Sequence, residues 1–144
     1  MTNLVYAALA VAAGVAATLQ AAMNAGLARA TGLGPAVVIN TIVVLFASFG
    51  MWAAMGAAPT FFPAGTPWAL YLGGLFGFVI VASLTVVFPK IGAAYAIALM
   101  VGGQCIAALV VDHYGLIGMP REPLTLQRAI GAALVTAGVV VFRI

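Results

Sequence analysis

Charged residues are scarce in this sequence: five Lys or Arg and two Asp or Glu make up 5% of 144 residues. A soluble domain carries about 25% charged residues, whereas 66% of this chain is hydrophobic. A fold of this size cannot bury that much apolar surface, so a water-soluble enzyme or regulator is excluded. Disorder is excluded too, because it requires low hydrophobicity and high net charge. We infer that lipid surrounds most of the chain.

Cysteine is nearly absent, since Cys105 is the only one. An internal disulfide framework and a cysteine metal cluster are therefore excluded. The net charge of +3 rests on so few residues that it describes membrane loops and predicts no nucleic-acid partner. No Ser/His/Asp or Cys/His set and no phosphate-binding loop occurs. We predict that the chain is not an enzyme and has no cofactor and no metal site.

Five apolar runs dominate what remains, and a membrane-spanning helix needs about 20 such residues. Pro35 fits the first position of the second helix. Thr66 and Thr125 are candidate N-caps of the third and fifth helices, with Pro67 as the first residue of the third. The sequence predicts an all-α integral membrane protein, residues 1–144 forming a single domain of five transmembrane helices at about 4–27, 35–58, 67–88, 91–111 and 126–143.

Two other origins of the apolar content are disfavoured. A cleaved signal peptide would have a basic region before its apolar stretch, but the chain starts Met1-Thr2-Asn3 and its first run is longer than usual. The strands of an outer-membrane barrel alternate apolar and polar residues, whereas these runs are continuous. We therefore expect the first run to be a transmembrane helix.

The few basic residues barely specify an orientation. Five helices place the termini on opposite sides, so that Arg121 and Arg128 lie on the N-terminal side and Arg29, Lys90 and Arg143 on the other. Cytoplasmic loops carry an excess of Lys and Arg, and a difference of one is a weak signal. Charge alone leaves two possibilities open: dual topology with head-to-tail pairing, or one orientation set weakly or by a partner.

Short motifs of polar and small residues stand in order along the chain: Gln20-Ala-Ala-Met-Asn24, Gly73-Gly74 with Gly77, Pro89-Lys90-Ile91-Gly92, Gly103-Gln104 and Asp112-His113-Tyr114-Gly115. Together they resemble the YdcZ-type family of membrane proteins within the drug/metabolite transporter superfamily. The resemblance covers nearly the whole chain. It implies a multi-pass protein of the bacterial inner (cytoplasmic) membrane.

The resemblance also implies an assembly. Family members are five-helix units that pair antiparallel, similar to the ten-helix transporters built from two inverted repeats. Inverted repeats place a substrate site near the midplane and work by alternating access. The implied partners are membrane lipid, a small-molecule substrate and a second copy of the chain in antiparallel orientation. The last helix resembles the dimerisation helix of small multidrug resistance transporters at Gly131, Leu134 and Gly138, with Val135 and Val139.

Small residues predict where helices approach closely, because helix association in lipid depends on backbone contact at Gly, Ala and Ser. Gly73 and Gly77 share one face of helix three, where we expect ordinary packing within the chain. Gly131 and Gly138 are one heptad apart on helix five, where we expect a dimer seam.

Side-chain amides are the main polar groups inside the predicted helices, and each needs a partner in hydrocarbon. Gln20 and Asn24 share a face of helix one, and Asn24 and Asn40 flank the turn at similar separations. We predict an interhelical Asn24–Asn40 hydrogen bond, whereas Gln20 is deeper and has no evident local partner. The substrate-cavity candidates are Gln20, Asn24, Asn40 and Gln104.

Asp112 and His113 fall at the end of helix four, with Arg121 and Arg128 as candidate ion-pair partners of Asp112 across the loop. These four residues form either an ion pair that orders the loop or a gate with a protonation switch at His113.

The helix interiors contain no Asp, Glu, Lys or Arg, and intramembrane carboxylates usually mark proton relays and cation sites. The resemblance makes the same point, because small multidrug resistance transporters carry a glutamate in the first helix, where this chain has Gln20. We predict a transporter of a small, neutral or weakly polar solute working as an antiparallel homodimer. The alternatives are a non-transporting membrane subunit and one half of a heterodimeric transporter.

Overall fold

The computed structural model describes residues 2–56 and 63–142, and within these ranges the chain is helical with short connections and no strand. Five α-helices follow one another, with two short 3₁₀ segments at Trp68–Leu72 and Leu116–Gly118. The α-helices are α1 (Thr2–Thr31), α2 (Leu33–Met55), α3 (Gly73–Ile91), α4 (Ala93–Tyr114) and α5 (Leu126–Val141).

Four helical segments are long and apolar enough to cross a membrane: Leu4–Thr31, Leu33–Met55, Trp68–Ile91 and Ala93–Tyr114. Helix α5 is apolar but has 16 residues, or about 24 Å at 1.5 Å per residue. The hydrocarbon core is about 30 Å thick. The prediction of five helices is confirmed, and four of them have the length of a membrane span. Helix α2 ends at Met55, because Gly56 adopts the left-handed conformation (φ +63°) of a C-cap, so the predicted end at residue 58 is wrong. The predicted end of helix five at Arg143 lies outside the described residues.

Single glycines separate two pairs of helices. Gly32 lies between α1 and α2 with φ +92°, and Gly92 lies between α3 and α4 with φ +82°. A side chain is unfavourable at such positive φ values, and glycine has no Cβ to clash. Helix α2 therefore begins at Leu33, and Pro35 lies in its first turn instead of at its first position.

Further predicted helix ends differ from the structure. Helix α3 continues through Pro89 to Ile91 instead of ending at residue 88. Pro67 has ψ 127° and is the N-cap of the 3₁₀ segment that begins at Trp68, so it is not the first helical residue, and the side chain of Thr66 does not cap this segment. Helix α1 continues to Thr31, which places Arg29 in its last turn. Helix α4 continues to Tyr114, so that Asp112 and His113 lie in its final turn. The Thr125 cap is confirmed, because its hydroxyl accepts from the Arg128 backbone N–H at 3.3 Å.

The chain divides into two compact units, Met1–Pro89 and Lys90–Ile144. In the first unit, α1 and α2 pack as an antiparallel hairpin. The residues buried on this hairpin are mostly small, and Ala36 is 0% exposed. Small side chains let helix backbones approach closely, which is the main source of helix association in lipid. The other buried apolar residues of α1 and α2 are Ala21, Ala25 and Val37.

In the second unit, α4 and α5 pack together. A Cβ built at Gly102 would lie 3.4 Å from Cγ2 of Val139, so the two helices approach closely there. Val139 therefore faces α4, whereas Leu134 is 68% exposed. At 100° per residue these two positions are about 140° apart around the helix. Val139 therefore lies on the face of α5 that packs against α4, and Leu134 lies on a different, exposed face.

Candidate functional site

The amides of the first unit lie at matched depths on α1 and α2. Asn24 stands eight residues before Gly32, and Asn40 stands eight residues after it. At 1.5 Å per residue each is about 12 Å along its helix from the turn. Because the hairpin is antiparallel, the tight turn at Gly32 brings the two side chains level.

Asn40 is the centre of a three-amide cluster. Its Oδ1 accepts hydrogen bonds from Nε2 of Gln20 at 3.0 Å and from Nδ2 of Asn24 at 3.1 Å. The predicted hydrogen bond between Asn24 and Asn40 is confirmed. The expectation that Gln20 lacks a local partner is wrong, because Gln20 is one turn from Asn24 on the same face and its longer side chain reaches the same oxygen.

The three amides are not equally accessible. Asn24 is 7% exposed and buried between the helices, whereas Gln20 and Asn40 are half-buried. An interhelical hydrogen bond of this kind in a membrane is worth about 0.6 kcal/mol. The buried Asn24 side chain therefore links α1 to α2, whereas the side chains of Gln20 and Asn40 remain partly exposed.

A groove of about 510 Å³ lies beside the cluster, bounded by α1, α2 and α3. Its volume falls within the range of about 300–1,000 Å³ that is typical of small-molecule sites. One wall is a stripe of α2 and the other a stripe of α3, and both follow the i, i+3, i+4, i+7 spacing of a single helix face. These stripes are Val37, Asn40, Thr41 and Val44 on α2, and Gly74, Gly77, Phe78 and Val81 on α3.

The polar part of the groove is formed by Gln20, Asn40 and Thr41, and none of its lining side chains is ionisable. The Thr41 hydroxyl donates to the carbonyl oxygen of Val37 at 2.9 Å, within its own helix. Asn24 does not line the groove. Two of the four amides predicted as cavity residues, Gln20 and Asn40, therefore border the same cavity.

The glycines of α3 leave space in the first unit. A Cβ built at Gly73 or Gly77 meets no heavy atom of the described chain within 4 Å. Within the described residues, the structure therefore gives these two glycines no close helix contact of the kind expected from ordinary packing. Gly77 lies in the wall of the groove, where α3 and α2 do not pack against each other.

Gln104 belongs to the second unit, where it is exposed on α4 and forms no side-chain hydrogen bond with the described residues. Its role as a cavity residue stays a prediction. The dimer seam also stays a prediction. Within the described chain, a Cβ at Gly131 or Gly138 meets nothing within 4 Å, and Leu134 is exposed.

The loop between α4 and α5 is held by ion pairs to Arg128. Its Nη1 is 3.6 Å from Oδ2 of Asp112, and its Nη2 binds Oε2 of Glu122. The Arg128 side chain is 35% exposed, and surface ion pairs contribute about 0–1 kcal/mol. Of the two arginines predicted as partners of Asp112, Arg128 is the one that pairs with it.

His113 forms two hydrogen bonds with the same loop. Its Nδ1 accepts from the backbone N–H of Leu124 at 3.1 Å, and its carbonyl oxygen accepts from Nε of Arg121 at 3.1 Å. The backbone N–H of Glu122 donates to the carbonyl oxygen of Asp112 at 2.8 Å. These contacts order the loop. A gating or switching role for the four predicted residues stays a prediction.

Several residues at these sites were not predicted from the sequence. Glu122 is the second carboxylate on Arg128, and the only available signal was its position between two arginines in a short loop. Thr41 and Phe78 line the groove. A helical stripe drawn through Asn40 finds Thr41, but no sequence signal places Phe78 opposite it.

The architecture defines a class first. Four long apolar helices, with every charged residue of the described helices in an end turn, fit a multi-pass membrane protein. The sequence profile of the family described as "Putative inner membrane exporter, YdcZ" matches residues 5–141. The chain belongs to this family, which confirms the resemblance found in the sequence and agrees with the expected transporter class. Neither the curated proteins nor the solved structures gave a match to this chain.

Proposed function

We propose that this protein transports a small, neutral or weakly polar solute by alternating access in an antiparallel homodimer, without catalysing a reaction. The observation that carries the proposal is the groove of the first unit, in which the amides of Gln20 and Asn40 lie among mostly apolar, uncharged lining residues. Membership in the YdcZ family supports a transport function, because the family is described as an inner membrane exporter.

The placement of charge supports a neutral solute. In the described helices, Arg29, Lys90, Asp112 and Arg128 all lie within a turn of a helix end. Carboxylates inside a membrane usually mark proton relays and cation sites. A groove that lacks them has no obvious means of binding a cation or of coupling its passage to a proton.

Two features support the antiparallel homodimer. The sequence divides its five basic residues two against three between the sides of the membrane, which hardly favours either orientation. On α5, Gly131 and Gly138 leave open space beside the exposed Leu134, as a helix–helix contact through small residues requires. A pair of inverted copies would place the groove of each near the midplane.

Reconstitution in liposomes tests the transport proposal. We expect purified protein to accelerate equilibration of at least one member of a panel of radiolabelled uncharged metabolites and drugs. Gln20→Ala should reduce this flux, and Thr18→Ala is the matched control, because Thr18 is on the same helix and its hydroxyl donates only to Gly14 of that helix. If intact dimers give no flux over the panel, the protein is a non-transporting subunit and the proposal is wrong.

A further inference from the structure

The amide cluster leaves a particular set of polar atoms at the groove. A primary amide has two N–H donors and a carbonyl oxygen with two lone pairs. Both lone pairs of Asn40 Oδ1 are used by Gln20 and Asn24. Within the described chain, Nδ2 of Asn40 and Oε1 of Gln20 have no hydrogen-bond partner. Two residues that line the groove therefore keep donors and an acceptor without a partner in the described chain.

The remaining walls are apolar and uncharged. Phe78 and Val81 of α3 face Val44 of α2 across the groove. A carboxylate or an ammonium group moved into such a site would lose its hydration without gaining a counter-charge, which is strongly unfavourable. A pure hydrocarbon would leave the two amides without partners. The solute that fits has one polar group that both donates and accepts, and an apolar remainder.

We propose that the groove binds an uncharged solute carrying one primary amide or hydroxyl group on an apolar body. This inference rests on the proposed transport function for its biological meaning, but the binding itself is a separate property. The polar group of the solute accepts from Nδ2 of Asn40 and donates to Oε1 of Gln20. Its apolar body lies against Phe78, where the absent side chain of Gly77 leaves room.

Four probes of matched shape test the inference: phenylacetamide, 2-phenylethanol, phenylacetate and 2-phenylethylammonium. Thermal unfolding of the detergent-solubilised protein is followed with each probe, because a ligand that binds only the folded state raises the midpoint. We expect phenylacetamide and 2-phenylethanol to raise the midpoint by a few degrees. The two charged probes should produce no shift at equal concentration.

Two variants separate binding in the groove from a general effect on the micelle. Asn40→Leu removes the central amide, and Gly77→Leu fills the groove while leaving the amide cluster unchanged. Both should abolish the shift caused by phenylacetamide, whereas Gly50→Leu should retain it, because Gly50 faces open space on α2 outside the groove. Gly77→Leu keeps the test decisive if Asn40→Leu does not fold.

The outcomes are distinguishable from those of the transport assay. Equal or greater stabilisation by either charged probe, a shift that persists in Gly77→Leu, or no shift with any probe up to its solubility limit would overturn the inference. Binding of the uncharged probes without flux of any solute would leave the inference standing and contradict the transport proposal. Flux of an uncharged solute that has neither a hydroxyl nor a primary amide group, together with no shift from any probe, would do the reverse: the transport proposal would stand and the inference would fail.

Discussion

Nδ2 of Asn24 donates a hydrogen bond of 3.1 Å to Oδ1 of Asn40, and the two residues lie eight positions before and eight positions after Gly32. The same oxygen accepts from Gln20. A single acceptor thus satisfies two amides of the facing helix, and the hairpin of α1 and α2 depends on Asn40 more than on either donor.

Replacing Asn40 should therefore be the most costly change in the cluster. Asn40→Leu leaves two donors unpaired, and we expect the free energy of unfolding to fall by about 1–3 kcal/mol. Asn24→Ala removes one interhelical bond, worth about 0.6 kcal/mol. Both are measured by reversible unfolding in mixed micelles. The matched control is Gln104→Leu, an exposed amide on α4, which should have little effect. Equal losses for Asn40→Leu and Asn24→Ala would contradict the shared-acceptor arrangement.

Filling the groove should stop transport without unfolding the protein. In Gly77→Leu the new side chain enters the groove, because Gly77 lines it and a Cβ at this position meets no atom of the described residues within 4 Å. We expect most of the solute flux in proteoliposomes to be lost while the unfolding midpoint stays near that of the unmodified protein. Gly50→Leu adds the same side chain to a helix face outside the groove and should transport normally. Similar flux in both variants would show that the groove is not the pathway.

The close approach of α4 and α5 leaves no room at Gly102 for a side chain much larger than a methyl group. A Cβ there is already 3.4 Å from Val139, so Gly102→Leu must push the helices apart at a cost of about 1–3 kcal/mol. The next residue provides the control, because a Cβ at Gly103 meets nothing within 4 Å. Gly103→Leu should leave the free energy of unfolding nearly unchanged. The prediction fails if the two variants are equally stable.

Removing the charge of Arg128 should loosen the loop that precedes α5. In Arg128→Gln, the carboxylates of Asp112 and Glu122 lose their shared partner, and we expect faster protease cleavage between residues 115 and 124. The effect on stability should be about 1 kcal/mol or less, since the pairs are partly exposed. It should also diminish at high salt. Arg29→Gln makes the same charge change at an exposed site on α1 and should not affect cleavage of this loop.

Orientation in the membrane provides the test of antiparallel pairing. Reporter domains fused to the C-terminus should be found on both sides of the membrane in comparable amounts, because the basic residues barely favour one side. Adding two lysines to the loop between α2 and α3 should shift the population toward one orientation. If every C-terminus faces the same side before any lysine is added, the antiparallel homodimer is excluded, and a heterodimer with an oppositely oriented partner remains.

The groove shows where sequence reasoning succeeds and where it ends. Gln20, Asn24 and Asn40 could be singled out from the sequence as candidate site residues because amides are rare and costly in an apolar helix. Their mutual contacts follow from the turn at Gly32 and from helical geometry, although the reach of Gln20 was missed. The wall formed by α3 could not be predicted from the sequence, because glycines on one helix face are compatible both with a tight helix contact and with an open groove.

The sequence by itself determined that this is an all-helical membrane protein of the YdcZ family, since a chain with 5% charged residues can fold only where lipid covers its apolar surface. It also determined that charge stays out of the helix interiors. Only the tertiary structure decided that Asn40 accepts from two donors, that a Cβ at Gly102 would touch α5, and that a Cβ at Gly77 would meet no atom of the described residues within 4 Å. The distance between packed helices decides these roles, and a glycine has the same identity in the sequence whether its neighbour is near or absent.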